Sequence, residues 1–239
     1  MNAINRPHIH YHHDIEQGSD TWLAIRCGIL SASQMKLIVT PTLISASNDK
    51  ERSHMYELLS QRITHYVEPQ FVSDDMVRGM TDEAEARILY AEHYAPVQEV
   101  GFITNCRWGF TLGYSPDGLV GDDGLIEVKS RRQRFQVETL IHNVGDDGST
   151  TIPADYMIQV QTGLLVSERK WLDFVSYSGG LPMVTIRVHP IETVQKAILD
   201  AASGFEERLS EKLLRYRNAL QSDARLIPTE RRIEQEMHL

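Results

Sequence analysis

The sequence has few cysteines and no long hydrophobic segment. Cys27 and Cys106 are too few for a disulfide framework, and they lack the paired spacing of a zinc site. No run of about eighteen apolar residues occurs, and residues 1–13 are polar and rich in histidine, unlike a signal peptide. We therefore expect a cytoplasmic protein with reduced thiols and without a membrane span.

Positive charge is also scarce. The chain has 24 lysines and arginines against 33 aspartates and glutamates, a formal net charge of −9, whereas a non-specific DNA-binding protein is usually basic. Metal sites need acidic ligands, which accounts for some of this excess. Basic residues do cluster at Lys129, Arg131, Arg132 and Arg134, where they could contact phosphates. A solvated surface without a ligand is the alternative interpretation of this cluster.

The remaining composition is that of an ordinary globular protein. Hydrophobic residues make up 41% of the 239 residues and charged residues 24%, which is enough for one domain with a sizeable core. We divide the chain into a flexible N-terminal arm (residues 1–16), a core (residues 17–190) and a C-terminal helix and tail packed on the same domain (residues 191–239). We expect no metal role for the histidines of the arm.

Two carboxylates and one amine occur close together between Ser115 and Lys129. Asp117 belongs to a Ser-Pro-Asp-Gly motif, and Glu127 and Lys129 follow a predicted hairpin turn at 122–124. Because residues i and i+2 of a strand project from the same face, Glu127 and Lys129 are expected side by side. An ordinary exposed ion pair is the alternative interpretation.

These residue types suit phosphodiester hydrolysis, which develops negative charge on phosphate oxygens. Asp117 and Glu127 can supply oxygen ligands to Mg²⁺, which takes one or two protein carboxylates and keeps several waters. Lys129 could orient or deprotonate the attacking water, and nearby cations should lower its proton affinity. The segment therefore predicts a metal-dependent nuclease site.

A second candidate site lies near the start of the core. Ser19 or Asp20 is a suitable N-cap for a short helix. That helix would carry Trp22 and Arg26 one turn apart on the same face. Ser31 can cap a second helix, whose start could bind phosphate beside an arginine. Alternatively, Trp22 belongs to the core, Arg26 to the surface, and Ser31 is only a cap.

Hydrophobic periodicity places further elements around these sites. Helices are predicted over residues 51–65, 78–90, 153–166 and 190–221, strands over residues 97–111, 171–177 and 184–188, and a flexible loop over residues 135–152. In the second helix Asp82 and Glu83 would be cap and dipole groups of the first turn. In the third helix a buried Gln159 would need a hydrogen-bond partner, either structural or in the site.

The motifs around Asp117 and Lys129 together resemble the PD-(D/E)-x-K nuclease superfamily. Residues 22–33 further resemble the N-terminal motif of one branch, the lambda exonuclease and YqaJ-type viral recombinase family. In that family an arginine and a serine of this motif bind the terminal 5′-phosphate of DNA. The resemblance therefore implies this role for Arg26 and Ser33.

Two helical motifs extend the resemblance in family order. A Gly-x-x-x-Glu-x-x-Ala-Arg pattern of the family is matched by Gly79, Glu83, Ala86 and Arg87. Its glutamate points into the metal site, so the resemblance implies that Glu83 is a third carboxylate. The stretch Tyr-Met-x-Gln-Val-Gln is similar to another family helix and implies that Gln159 supports the site.

The resemblance also implies a fold, an activity and partners. The expected fold is α/β, with a restriction-endonuclease-like mixed β-sheet core flanked by α-helices. The expected activity is a 5′→3′ exonuclease that leaves 3′ overhangs on linear double-stranded DNA for phage-type recombination. Two Mg²⁺ or Mn²⁺ ions would be held by Asp117, Glu127, Glu83 and the Val128 carbonyl. A homotrimer, an annealing recombinase and a phage or prophage in a bacterial host complete the expectation.

Two other functions remain compatible with the motifs. The protein could be a PD-(D/E)-x-K endonuclease of another specificity, which would cut covalently closed circles. It could also be a non-catalytic DNA-binding protein on a nuclease fold, which would bind DNA without turnover in Mg²⁺ or Mn²⁺.

Overall fold

Strands and helices alternate through the chain, which the computed structural model describes for residues 8–69 and 73–231. In order these are β1 (Ile9–His12), α1 (Asp20–Arg26), β2 (Leu30–Ser31), a 3₁₀ helix (Ala32–Leu37), α2 (Asp49–Thr64), α3 (Asp74–His93), β3 (Phe102–Asn105), β4 (Leu112–Tyr114), β5 (Gly118–Val120), β6 (Gly124–Ser130), α4 (Gln133–His142), α5 (Ala154–Ser167), β7 (Trp171–Tyr177), β8 (Val184–Val188) and α6 (Glu192–Leu220). The predicted mixed α/β fold is confirmed. Within these ranges no helix is both long and apolar enough to cross a membrane.

The strands form two four-stranded mixed sheets, with the orders β1-β3-β4-β2 and β5-β6-β7-β8. β6 and β7 run parallel, and α4 and α5 supply the crossover that a parallel pair requires. β2 and β4 are also parallel, with Ser31 opposite Gly113. The chain passes from β4 of the first sheet through residues 115–117 to β5 of the second. The predicted nuclease motif therefore begins at the junction of the two sheets.

Strand β6 is buried on both faces except at its end, and its alternation decides which residues reach the candidate site. Ile126 and Val128 pack in a cluster with residues of α3. Leu125 instead packs in the larger core cluster. By the period-two alternation of a strand, Glu127 and Lys129 share the face of Leu125. The packing of these apolar residues thus fixes the Glu127 carboxylate and the Lys129 amine on one face of β6.

Helix α6 packs on the rest of the domain from Val194 to Leu209, whereas Tyr216 and Leu220 near its end, which the amphipathic spacing also predicted to pack, are exposed. Its buried apolar residues are Val194, Ile198, Ala201, Ala202, Phe205 and Leu209. Two ion pairs also join it to α2. Glu206 pairs with Arg62 at 2.7 Å. Arg208 pairs with Glu51 at 2.9 Å. Of the tail predicted beyond the helix, residues 232–239 lie outside the described residues.

Strand β1 forms where the sequence predicted a flexible arm. Ile9–His12 pairs antiparallel with β3, which would otherwise be an open edge. Ile9 and Tyr11 pack against the core, and the Tyr11 hydroxyl donates to the Ser167 carbonyl at 3.1 Å. The prediction is wrong for this strand because His8, His10 and His12 alternate with Ile9 and Tyr11 and conceal a period-two pattern. Residues 1–7 of the predicted arm lie outside the described residues.

Helix α4 occupies part of the predicted loop at 135–152. Its exposed residues include the apolar Phe135, Val137 and Ile141. The buried face is formed by Gln136 and Thr139 instead. Gln136 donates to the Ser176 carbonyl at 3.1 Å and accepts from the Ser176 hydroxyl at 2.6 Å. The loop prediction is wrong for this helix because its buried face is polar, so hydrophobic periodicity could not reveal it.

Candidate active site

Asp117 lies between β4 and β5 and contacts the backbone of β6. The β5–β6 ladder ends where Gly118 faces Ile126. Beyond that point the N–H of Val128 donates to Oδ2 of Asp117 at 2.6 Å, so the carboxylate replaces a strand partner. The N–H and C=O of one strand residue point to the same side. The Val128 carbonyl therefore faces the side of Asp117.

Glu127 is held by three donors and is only 2% exposed. Its Oε1 accepts from Lys129 Nζ at 2.6 Å and from Gln159 Nε2 at 2.5 Å. Its Oε2 accepts from the Tyr114 hydroxyl at 2.7 Å. Glu127 and Lys129 lie side by side, as strand alternation predicted. Helix α5 brings Gln159 to the same carboxylate.

Lys129 is held as an ammonium. Burial lowers the pKa of Lys129, but the negative charges of Glu127 and Asp117 outweigh burial and raise its pKa above the usual value. Nearby cations were expected to lower the proton affinity of this amine, and the surrounding carboxylates act in the opposite direction. At neutral pH Lys129 is therefore a positive hydrogen-bond donor in this site.

Helix α3 brings Glu83 towards the other carboxylates. The helix begins at Asp74 rather than at residue 78, and Ser73 caps it by accepting from the N–H of Met76. Glu83 therefore lies well inside the helix, and its predicted alternative role as a first-turn dipole group is wrong. Burial raises the pKa of Glu83, Arg87 opposes this, and the charge of Glu127 raises it again. Glu83 is thus close enough to Glu127 for repulsion.

Arg87 ties α3 to the segment that carries Asp117. Its Nη1 donates to Oε1 of Glu83 at 3.0 Å and to the backbone carbonyl of Asp117 at 3.3 Å. Glu85 points elsewhere and accepts from the Tyr177 hydroxyl at 2.6 Å. The guanidinium of Arg87 therefore orients one glutamate of the helix towards the site.

The carboxylates of Asp117, Glu127 and Glu83 influence one another, and their oxygens are the type of donor that a hard divalent cation prefers. Burial raises the pKa of Asp117 well above its ordinary value, and the charges of Glu127 and Glu83 raise it further. A bound cation relieves such repulsion. Across residues 8–69 and 73–231, no three Asp, Glu, His or Cys side chains converge closely enough to hold a metal by themselves. Mg²⁺ does not require this, since one or two carboxylates, carbonyls and waters suffice.

Arg26 lies beside the same segment. Its Nη1 donates to the Ser115 hydroxyl at 3.0 Å, and its Cζ lies 3.9 Å from the centroid of the Trp22 ring. Trp22 Nε1 donates to the same hydroxyl at 3.0 Å. Burial lowers the pKa of Arg26 to about 10. No carboxylate in the described part of the chain forms an ion pair with this guanidinium.

Ser33 is exposed in the first turn of the 3₁₀ helix, and its hydroxyl lies 3.4 Å from that of Ser31. Ser31 occupies the predicted cap position but makes no side-chain cap bond. The pairing of Ser31 with Gly113 brings this turn to the end of β4 that leads to Ser115. Among the described residues no hydrogen bond joins Ser33 to Arg26.

The basic cluster has a fixed part and an exposed part. Arg131 follows β6, and its Nη1 donates to the Tyr156 hydroxyl at 2.6 Å. Its backbone N–H donates to the Tyr177 carbonyl at 2.7 Å. Arg132 and Arg134 are exposed at the start of α4. Helix α4 therefore positions Arg132 and Arg134, which were expected from the sequence at the end of a strand.

Sequence reasoning missed Tyr114 and Ser115 as site residues. The available signal was their position directly before Pro116 and Asp117. Their partners, Glu127 and Arg26, come from other elements and are not adjacent in sequence. Only the three-dimensional arrangement of these elements shows that the two hydroxyls contact the site.

The chain is similar to known proteins in sequence and in structure. Residues 21–170 match the YqaJ-like viral recombinase domain. The crystal structure of an alkaline exonuclease (LHK-Exo) from Laribacter hongkongensis is similar, with a TM-score of 0.72 and 29% identity over 85% of this chain and 100% of that chain. The same exonuclease in complex with dAMP gives a TM-score of 0.73 and 30% identity over the same shares. No curated protein matches the sequence.

The matched range 21–170 covers more than half of the chain and contains Arg26, the three carboxylates, Lys129 and Gln159. This chain belongs to the YqaJ-like viral recombinase domain family.

Proposed function

We propose that this protein is a metal-dependent exonuclease that digests linear double-stranded DNA from its 5′ ends. One observation carries the proposal: the segment Tyr114–Asp117 contacts both candidate sites. Ser115 accepts from Arg26, and Asp117 binds the strand that carries Glu127. A phosphate bound by Arg26 would therefore lie next to the carboxylates.

Two divalent cations, Mg²⁺ or Mn²⁺, would be held by Asp117, Glu127, Glu83 and the Val128 carbonyl. When bound they would neutralise charge on the phosphate and make a water easier to deprotonate. The raised pKa of Asp117 supports this assignment, because burial and two neighbouring carboxylates make its negative charge costly without a cation.

Lys129 and Gln159 would position the attacking water. Both donate to Oε1 of Glu127. An ammonium has three N–H donors and an amide has two, so each side chain keeps a donor for a water or a phosphate oxygen. The charges of Glu127 and Asp117 raise the pKa of Lys129, and cations bound to these carboxylates would offset that effect, so Lys129 would orient the attacking water or deprotonate it.

Arg26 and Ser33 would bind the terminal 5′-phosphate. A partly buried guanidinium that no described carboxylate neutralises is suited to a phosphate, which it can bind through paired N–H donors. A pKa of about 10 keeps Arg26 positive at neutral pH. Arg131, Arg132 and Arg134 would contact the DNA backbone further along.

The relatives support this reaction class. The similar protein from Laribacter hongkongensis is an alkaline exonuclease, and its structure is known in complex with dAMP. A deoxynucleoside monophosphate is the kind of product that forms when a terminal nucleotide is removed from DNA. The viral recombinase family supports a phage-type role, in which 3′ overhangs pass to a single-strand annealing partner. A homotrimer around DNA in the cytoplasm of a bacterial host is part of the same proposal.

A comparison of linear duplex with covalently closed circles tests the activity. With Mg²⁺ the protein should digest the linear duplex, leave closed circles intact and stop when the metal is chelated. Asp117→Asn should lose the activity under the same conditions. Cleavage of closed circles would instead identify an endonuclease, and undiminished digestion by Asp117→Asn would refute the site.

A further inference from the structure

Gly28 lies two residues after Arg26, and both its backbone N–H and its carbonyl are hydrogen-bonded to side chains. Its N–H donates to Oε1 of Gln61 at 2.8 Å. Its carbonyl accepts from Nε of Arg62 at 2.7 Å. Two consecutive side chains of α2 therefore bind both polar groups of a single residue in the turn after α1. We call this arrangement the Gly28 clamp.

The turn requires glycine for two reasons. Gly28 has a φ of +71°, a backbone angle that residues with a side chain rarely adopt. A Cβ at this position would also lie 2.6 Å from Cγ of Arg62. The backbone of the turn and the stem of Arg62 are therefore packed as closely as they can be.

Arg62 is itself anchored. Its two terminal nitrogens donate to the two carboxylate oxygens of Glu206 on α6, each at 2.7 Å. Glu206 is only 9% exposed, so this pair is largely shielded from solvent. A paired guanidinium fork has little freedom to rotate. The position of Gly28 is thus set by α2 and α6 together.

We propose that Gln61 and Arg62 are positioning residues for DNA-end recognition, an inference that rests on the proposed 5′-phosphate role of Arg26. The clamp fixes the end of α1, and so the direction in which Arg26 reaches Ser115. The same turn leads into β2 and to Ser31, which precedes the turn of Ser33. One clamp therefore sets the spacing between the arginine and the serine that would share a phosphate.

The test measures the ratio of digestion rates on 5′-phosphorylated and 5′-hydroxyl duplexes. Gln61→Met keeps the length of the side chain and removes the acceptor for the Gly28 N–H. We expect it to lower the ratio about tenfold, since small displacements of a binding group have effects of this size or larger. Arg62→Lys, which keeps a charge for Glu206 but cannot also reach the Gly28 carbonyl, should lower the ratio as well.

A matched control is available on the same pair of helices. Arg208 donates to Glu51 at 2.9 Å, which also joins α6 to α2 but does not touch Gly28. Arg208→Met should leave the ratio unchanged, whatever its effect on the melting temperature. A general loss of stability lowers both rates equally, so the ratio separates positioning from folding. Gln61→Glu, which retains an acceptor oxygen, should restore the ratio.

A double-mutant cycle with Arg26 completes the test. If the clamp acts through Arg26, Gln61→Met should not lower the ratio further in an Arg26→Ala background. An unchanged ratio in Gln61→Met, with a reduced one in Arg26→Ala, would overturn the clamp and leave the phosphate site standing. An unchanged ratio in Arg26→Ala would overturn the proposed phosphate site, and the clamp with it.

Discussion

The Tyr114 hydroxyl donates a 2.7 Å hydrogen bond to Oε2 of Glu127, and both side chains are buried. Lys129 and Gln159 bind the other oxygen of the same carboxylate. Burial raises the pKa of Tyr114 well above the usual value, and the negative charges of Glu127 and Asp117 raise it further. The phenol therefore remains a donor and fixes the plane of the carboxylate.

Tyr114→Phe should lower the exonuclease rate about tenfold, the equivalent of about 1.4 kcal/mol in the barrier. It should also lower the free energy of unfolding by about 1–3 kcal/mol, because a buried carboxylate loses a hydrogen bond. Rates and denaturant unfolding measure the two effects. Tyr90→Phe is the control, since its hydroxyl donates at 2.6 Å to buried Asp173 outside the site. Equal rate losses in both variants would contradict a specific role of Tyr114.

Gly163→Ala should displace the ring of the same tyrosine. Gly163 lies one turn after Gln159 on α5, and a Cβ there would come within 2.7 Å of the Tyr114 ring. Overpacking of this kind costs about 1–3 kcal/mol of stability, and the rate should fall with it. On α6 the nearest atom to such a Cβ at Gly204 is 3.5 Å away, at the flexible end of Arg208. Gly204→Ala should therefore leave the stability unchanged or increase it. A larger loss of stability in Gly204→Ala than in Gly163→Ala would contradict the prediction.

The contact between Glu127 and Lys129 could be predicted from sequence because strand alternation is a local property. The partners of Tyr114 and Ser115 could not, since the β4–β2 pairing and the β4–β5 connection bring them together. Local alternation was also present in β1, but the histidines concealed it. In α4 no hydrophobic signal existed, because Gln136 makes the buried contact through hydrogen bonds.

Replacement of Asp117 should stabilise the fold while it abolishes activity. The pKa of Asp117 is higher in the folded protein than in the unfolded chain, so the folded state binds this proton more tightly. The contribution of Asp117 to stability therefore decreases as the pH rises from the unfolded pKa towards the folded one. Asp117→Asn can still accept from the Val128 N–H and removes the charge. Its unfolding free energy should exceed that of the wild type at neutral pH, and the difference should shrink in acid.

Divalent cations should reverse the order of stability of the wild type and Asp117→Asn. A cation that binds only the folded protein at 100 times its dissociation constant stabilises it by about 2.7 kcal/mol. Mg²⁺ or Mn²⁺ should therefore raise the melting temperature of the wild type and have a smaller effect on Asp117→Asn. Thermal melts with and without metal measure this directly. An equal shift in both proteins would show that Asp117 does not help to hold the ion.

In the proposed function, digestion begins at a 5′ end and Arg26 binds the phosphate there. The most direct measurement uses linear duplexes that are labelled at either the 5′ or the 3′ terminus of one strand, with Mg²⁺ present. We expect the 5′ label to be released first, as a mononucleotide, and duplexes with 5′-phosphate ends to be digested faster than those with 5′-hydroxyl ends. Release of the 3′ label first, or equal rates on the two kinds of end, would contradict it.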